Sequence, residues 1–207
     1  MDAAGCGRMN FIIRKAMPED IPGIAHAAAE AWHQTYAVSL PEKVRLDLLD
    51  LFYSPGWLKR AIAREDALFE TAVTAGGQIA GFAQWVYAIP PPAAVAPDPA
   101  PAPAPATAAT AASAPASPDA TCELTRLYVR PASQGQGIGS ALLKHGLSKL
   151  PENILVKLGV KSGNERAMRF YEKHGFVFDK ESWMPIGNIE FHLYWLIKRR
   201  GVSGWAE

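Results

Sequence analysis

A short glycine-rich segment past the middle of the chain is a candidate for binding an anion. It reads Gln134-Gly-Gln-Gly-Ile-Gly139 and precedes a stretch with helical apolar spacing. Glycines let backbone N–H groups approach an anion closely, and the dipole at a helix N-terminus favours negative charge. The segment is therefore suited to hold a pyrophosphate, although a tight glycine turn without a ligand explains the glycines alone equally well.

Two common phosphate-binding motifs do not match this segment. No Gly-Lys-Ser/Thr follows it, as a P-loop requires, and Ser140 stands where a dinucleotide-binding fingerprint has its third Gly or Ala. The strand before it also lies past the middle of the chain, whereas a dinucleotide fold opens with its βα unit. A different phosphate-binding family is therefore indicated.

The segment resembles the signature of the GNAT superfamily of N-acetyltransferases, Gln/Arg-x-x-Gly-x-Gly/Ala, at Gln134, Gly137 and Gly139. Upstream, Leu127-Tyr-Val-Arg-Pro131 looks like the fourth strand of that family and its exit. Downstream, the second cofactor motif of the family is similar to Asn164-x-x-Ala167-x-x-Phe170-Tyr171-Glu172-x-x-Gly175-Phe176. Two motifs in the right order make the resemblance specific, and it covers most of residues 11–198.

The resemblance implies an N-acetyltransferase that moves an acetyl group from acetyl-coenzyme A to a primary amine of a small molecule or protein, by direct attack in a ternary complex. The pantetheine of coenzyme A is expected to bond to the backbone of Leu127 and Val129, like an added strand facing residues 156–160. The expected cofactor-binding residues are Leu127, Tyr128, Val129, Gln134, Gly135, Gln136, Gly137, Ile138, Gly139, Ser140, Asn164, Ala167 and Phe170.

Acetyl transfer requires a neutral amine, a donor for the developing oxyanion and a proton for the departing thiolate. A lysine-type amine has a pKa of roughly 10.4, so a base or a water relay must remove its proton. Glu123 is the candidate base: some family members carry a catalytic Glu there, and a period of two places it on the same face as Leu127. Other members use a Glu on the fifth strand, where this chain has Gly159. A surface carboxylate at a strand end is the alternative for Glu123.

The resemblance makes Tyr171 the proton donor to the thiolate and a backbone N–H of the fourth strand the oxyanion donor. The alternative for Tyr171 is a core aromatic residue, and Asn164 also suits the N-cap of its helix. The aromatic residues Trp32 and Tyr36, with residues after Trp183, are expected to line the acceptor side. The identity of the amine is left open.

The composition gives no sign of a nucleic-acid or membrane partner. Lys and Arg total 21 and Asp and Glu total 20, so the formal charge of +1 gives no basic footprint for nucleic acid or a membrane surface. The two cysteines and five scattered histidines do not form a disulfide framework or metal-ligand spacing. No signal peptide or membrane span is apparent near the N-terminus, and we expect a cytoplasmic monomer or homodimer.

The elements that must position these residues follow from apolar periodicity. We predict strands at 11–14, 68–74, 78–89, 123–129, 154–161, 176–180 and 190–198, and helices after Asp20, over 44–51, after Ser54, after Gly137 and over 165–174. The resulting fold class is α/β, the GNAT fold: a mixed, mostly antiparallel sheet of six or seven strands flanked by helices, in a single domain over residues 11–198.

A Pro/Ala-rich segment interrupts this pattern at residues 90–120. Of its 31 residues, 14 are Ala and 10 are Pro, so it has too little apolar surface for a core and we expect a disordered, semi-stiff insertion. Recruitment of an SH3-like domain is one alternative role for the segment. The alternative for the whole chain is a non-catalytic acyl-coenzyme A-binding sensor or interaction module.

Overall fold

The computed structural model of the protein describes residues 10–88, 120–186 and 189–201. Within these ranges the chain forms seven strands and five α-helices. The strands are β1 (Phe11–Lys15), β2 (Ala67–Thr74), β3 (Ile79–Ala88), β4 (Thr121–Val129), β5 (Leu155–Lys161), β6 (Val177–Ile186) and β7 (Ile189–Arg199). The helices are α1 (Ile21–Tyr36), α2 (Glu42–Tyr53), α3 (Pro55–Ala63), α4 (Ile138–Lys149) and α5 (Glu165–Lys173).

The strands form one sheet in the order β1-β2-β3-β4-β5-β7-β6. Every neighbouring pair is antiparallel except β4 and β5, which are parallel and joined through α4. A parallel pair needs such a crossover, whereas β2 and β3 are joined by a tight turn in which Gly77 has φ 77°. The expected mixed, mostly antiparallel sheet with flanking helices is confirmed.

The two faces of the sheet bury separate cores because side chains alternate along each strand. On one face, Trp85 and Leu124 pack in the cluster that includes residues of α4 and α5. On the other face, Phe82 and the partly buried Tyr128 pack with residues of α1, α2 and α3. The strands thus carry one face toward α4 and α5 and one face toward the first three helices.

Close packing of α4 depends on a single glycine. A Cβ added at Gly146 would lie 2.2 Å from the indole of Trp85, which is fully buried. Only a residue without a side chain therefore lets α4 approach the sheet this closely.

The structure corrects two element predictions. β6 extends to Ile186, well beyond the predicted end at residue 180, because it pairs with β7 almost throughout its length. Asp20 occupies the N-cap position of α1 but makes no cap hydrogen bond. Its carboxylate instead accepts hydrogen bonds from Arg14 and from the Met17 N–H, and a guanidinium is a stronger donor than a helix-end amide.

The Pro/Ala-rich segment predicted at 90–120 lies outside the described residues except for Ala120. The strands on either side of it are adjacent, because Ala88 of β3 pairs with Thr121 of β4. None of the described helices is long and apolar enough to span a membrane.

Candidate functional site

The central feature of the site is the separation of the two parallel strands. β4 and β5 pair only at Thr121–Leu155, Cys122–Val156 and Glu123–Lys157. Beyond Glu123 the two strands continue without pairing to Val129 and Lys161. The sheet is therefore open between their carboxyl ends.

A cavity of about 390 Å³ has residues of β4 in its wall. Its lining comprises Ala31, Gln34, Thr35, Tyr36, Leu127, Tyr128, Val129, Ser133, Gln134, Gly135, Gly137, Ile138, Gly139, Ser140, Asn164, Arg166, Ala167, Phe170 and Tyr171. Of the predicted cofactor residues, only Gln136 is outside this set. Its side chain instead donates to the Ala132 carbonyl at 3.3 Å.

Backbone donors of β4 face this opening. The Arg130 N–H donates to the Ala80 carbonyl of β3 at 2.9 Å, so residues 128 and 130 bond to β3 under the alternation of an antiparallel ladder. The N–H groups of Leu127 and Val129 consequently point away from β3, on the side where β5 has diverged. An extended ligand therefore finds free donors there.

The glycine loop adds anion-binding capacity at the end of β4. Gly135 and Gly137 have φ of 79° and 85°, conformations that disfavour other residues. Gly137 is the N-cap of α4, and no atom lies within 4 Å of a Cβ added at either glycine. The loop thus leaves open space in front of a helix N-terminus, and this arrangement fits a phosphate group.

The start of α5 forms the opposite wall. The Asn164 side chain accepts from the Ala167 N–H at 3.1 Å, so the predicted helix cap is present. Arg166 donates to the side-chain oxygen of Gln134 at 2.7 Å, and the Gln134 amide nitrogen donates to Gln34 at 2.9 Å. This chain of polar contacts links α5, the glycine loop and α1.

Sequence reasoning missed several cavity residues. Arg166 had a usable signal, since it is a basic residue in the first turn of the helix that carries the second motif. Gln34 and Thr35 had none, because only the packing of α1 against β4 brings them to the cavity.

Tyr171 lines the cavity from α5 and is largely buried. The residue is 8% exposed, and its ring packs edge-on against Phe170 and Phe176 at centroid distances of 5.1 and 5.6 Å. Burial raises the pKa of the Tyr171 hydroxyl well above its usual value. The group therefore holds its proton throughout the ordinary pH range.

Aromatic residues fill the other side of β4. Burial raises the pKa of Tyr36 to about 12 and the pKa values of Tyr53 and Tyr128 well above the usual range. Trp32, predicted to line the acceptor side, is 7% exposed and does not contact the cavity. It packs behind Tyr36 at a centroid distance of 4.9 Å, so only Tyr36 of the two reaches the cavity wall.

The predicted face of Glu123 is wrong, because β4 contains a bulge. Trp85 pairs with Leu124 and Gln84 pairs with Arg126, so Thr125 is an extra residue on β4. The bulge breaks the period of two and places Glu123 on the face of Arg126 and Tyr128, opposite Leu127.

Glu123 lies at the last paired position of the two parallel strands, where the opening between them begins. Its carboxylate is 3.5 Å from the ammonium group of Lys157, and its side chain is 31% exposed. It does not belong to the cavity lining. Water can therefore reach the carboxylate.

Comparison with known proteins adds a family assignment. A model described as the acetyltransferase (GNAT) family matches residues 29–176. Uncharacterized N-acetyltransferases of Mycobacterium tuberculosis and Mycobacterium bovis are 40% identical over 60 residues, which are 28% of this chain and 38% of each relative. The match thus spans well under half the length of these relatives.

Solved structures share the fold over almost the whole chain. The PaiA N-acetyltransferase from Thermoplasma acidophilum in complex with coenzyme A has a TM-score of 0.64 and 24% identity, covering 92% of this chain and 99% of its own. The ribosomal-protein-S18-alanine N-acetyltransferase from Escherichia coli has a TM-score of 0.59 and 18% identity, covering 94% and 97%. At these identities the likeness shows the fold alone.

Proposed function

The chain belongs to the GNAT family of acetyltransferases, and from that premise we propose that it transfers the acetyl group of acetyl-coenzyme A directly to a primary amine in a ternary complex. The observation that carries the proposal is the opening between β4 and β5, where backbone donors and the glycine loop border one cavity. The solved relative from Thermoplasma acidophilum that binds coenzyme A supports the choice of donor.

The residues around the cavity suit the parts of the donor. The N–H groups of Leu127 and Val129 bond to the pantetheine as a missing strand would. The backbone of the loop 134–140 holds the pyrophosphate at the N-terminus of α4, without a requirement for phosphate-binding side chains. Ala167 and Phe170 pack from α5 on the other side.

Two groups on β4 assist the attack of the amine on the thioester. Glu123 accepts the proton of the ammonium group through water, since it lies where β4 and β5 begin to separate and its carboxylate is partly exposed. A β4 backbone N–H that faces the cavity donates to the thioester oxygen as negative charge develops there. Such a fixed donor needs no reorganisation during the reaction.

Tyr171 completes the reaction by protonating the departing thiolate. Its hydroxyl is neutral because burial raises its pKa, so a proton is available at every pH at which the amine can react. Attack of the amine nitrogen on the thioester carbon forms a tetrahedral intermediate, which collapses to the amide as the carbon–sulfur bond breaks. The sulfur takes the Tyr171 proton and leaves as a thiol, and the proton lost by the attacking nitrogen passes through water to the Tyr171 oxygen, which restores the neutral hydroxyl.

Binding and turnover of acetyl-coenzyme A test this proposal together. Acetyl-coenzyme A should raise the melting temperature, and thiol release should appear when amines of different classes are added. Gly137→Val should abolish the melting shift, because its side chain fills the space left for phosphate. Gly77→Val is the matched control, since its φ of 77° and open surroundings impose the same backbone strain away from the cavity.

The outcomes separate the two functions considered for the chain. A melting shift with thiol release supports the enzyme. A melting shift without thiol release for any amine class would instead support an acyl-coenzyme A sensor, and no shift at millimolar ligand would reject the donor altogether.

A further inference from the structure

Arg126 is a cation without a carboxylate partner in the part of the chain that the structure describes. Its guanidinium carbon lies 4.0 Å from the ring centroid of Trp57 and 5.3 Å from that of Tyr53. One nitrogen donates to the side-chain oxygen of Gln84, which is almost fully buried. Aromatic faces and a neutral amide thus surround the positive charge.

The hydrogen-bonding capacity of Arg126 is not met within the described residues. Its Nε atom is buried and has no acceptor, and Nη2 makes no hydrogen bond to any described residue. A buried donor without an acceptor destabilises the protein, and cation–π contacts compensate a charge only in part. Nε is not accessible to a ligand, whereas Nη2 is not buried, so an anion bound at Nη2 would supply an acceptor and the opposite charge.

Arg126 is placed to meet the acceptor rather than the donor. The bulge at Thr125 puts it on the same face as Glu123 and Tyr128, opposite Leu127. Tyr128 lines the cavity. It follows Arg126 by two residues, so the Cα atoms of Arg126 and Tyr128 are about 7 Å apart along the strand. Arg126 therefore lies between the proposed base and Tyr128 along β4, although it does not itself belong to the lining of either cavity.

The described residues that line the two cavities include no acidic side chain. Within the described part of the chain, neither the main cavity nor the neighbouring cavity of about 380 Å³, which shares Tyr36 with it, has an Asp or Glu in its lining. Their charged residues are Arg166 and Lys161. A polyamine would meet cations without a compensating carboxylate, whereas an anionic group would be attracted.

We infer that the acceptor is a small amine that also carries a carboxylate, and that Arg126 binds this carboxylate while the amine faces the thioester. That the amine faces the thioester rests on the proposed acetyl transfer. The guanidinium carbon lies over the Trp57 ring and one of its nitrogens bonds to Gln84, so these contacts hold the positive group in place before the acceptor arrives.

Matched acids and amides test the inference. The probes are the common amino acids as free acids and as carboxamides, with spermidine as a polyamine. Binding to coenzyme A-saturated protein is measured by calorimetry, and thiol release from acetyl-coenzyme A is measured separately. For the preferred acid we expect roughly tenfold to a hundredfold tighter binding than for its amide, as a charge-assisted contact provides.

Variants of Arg126 distinguish binding from a structural role. Arg126→Gln should remove the preference for acid over amide, whereas Arg126→Lys, which keeps the charge, should retain part of it. Arg60→Gln is the control, because it removes the same charge from an exposed position of α3. Melting temperatures identify any variant that fails to fold, and the acid-to-amide ratio is independent of a uniform loss of stability.

The outcomes for the inference and for the proposed function differ. Equal binding of acids and amides by the unaltered protein, preferred binding of spermidine, or an unchanged acid preference in Arg126→Gln would each overturn the inference. Acids that bind preferentially without any thiol release would support carboxylate binding at Arg126 while counting against the proposed acetyl transfer.

Discussion

Removal of one hydroxyl group at Tyr171 tests the proposed proton donor. Tyr171→Phe leaves the ring in its contacts with Phe170 and Phe176, so packing and cofactor affinity should change little. General acid catalysis contributes about 10²–10⁴-fold, which corresponds to about 2.7–5.5 kcal/mol in the barrier. We therefore expect kcat to fall at least about a hundredfold if the chemical step limits the rate.

The assay is single-turnover thiol release with an accepted amine, together with the melting shift produced by acetyl-coenzyme A. Tyr87→Phe provides the control, because Tyr87 is a partly buried tyrosine of β3 outside the cavity lining. Near-normal turnover in Tyr171→Phe would refute the proton-donor assignment. If the melting shift were reduced while turnover at saturating acetyl-coenzyme A stayed unchanged, Tyr171 would instead be a residue that positions the cofactor.

Three further predictions concern the fold around the site. Gly146→Ala should lower the free energy of unfolding by about 2 kcal/mol and the melting temperature by about 4–8 °C, because its Cβ would overlap the Trp85 ring. Gly139→Ala is the control, since a Cβ there has its nearest contact at 3.6 Å. An unchanged melting temperature in Gly146→Ala would contradict the packing of α4 on the sheet. Replacing residues 90–119 by four residues should preserve the fold and raise the free energy of unfolding by about 1–2 kcal/mol, because Ala88 and Thr121 are paired and a shorter loop costs less entropy to close. Denaturant titration measures the gain, and loss of cooperative unfolding would refute the prediction. The free energy of unfolding should fall as pH rises above about 10. The folded pKa values of four buried tyrosines lie above the unfolded value, so the unfolded chain loses these protons first; the residues are Tyr36, Tyr53, Tyr128 and Tyr171. Denaturant titration measures the change, and a denaturation midpoint that stays constant between about pH 9 and 11.5 would argue against their burial.

Local signals were sufficient for the parts of the site that lie within one element. The glycine spacing predicted the loop before α4, where two glycines adopt positive φ. The position of Asn164 predicted its cap on α5, since that contact spans only three residues. Alternation along β5 likewise predicted the buried residues Val156, Leu158 and Val160.

Features that depend on contacts between distant elements could not be predicted in this way. The bulge at Thr125 arises from the pairing of β4 with β3, and no residue near Glu123 indicates the resulting change of face. The contribution of Gln34 to the cavity depends on how α1 packs over β4. The guanidinium of Arg126 lies over the ring of Trp57 in α3. These residues are far apart in the sequence, so no local pattern indicates the contact.

The fate of the acetyl group is the most direct test of the central claim. Acetyl-coenzyme A with an isotopically labelled acetyl group is incubated with the protein and the amine that gives the fastest thiol release, and the products are identified by mass spectrometry. The label should appear on the nitrogen of the acceptor, in an amount equal to the free thiol formed. Label found only as free acetate, or a labelled amine formed equally well without the protein, would contradict the assignment of this chain as an N-acetyltransferase.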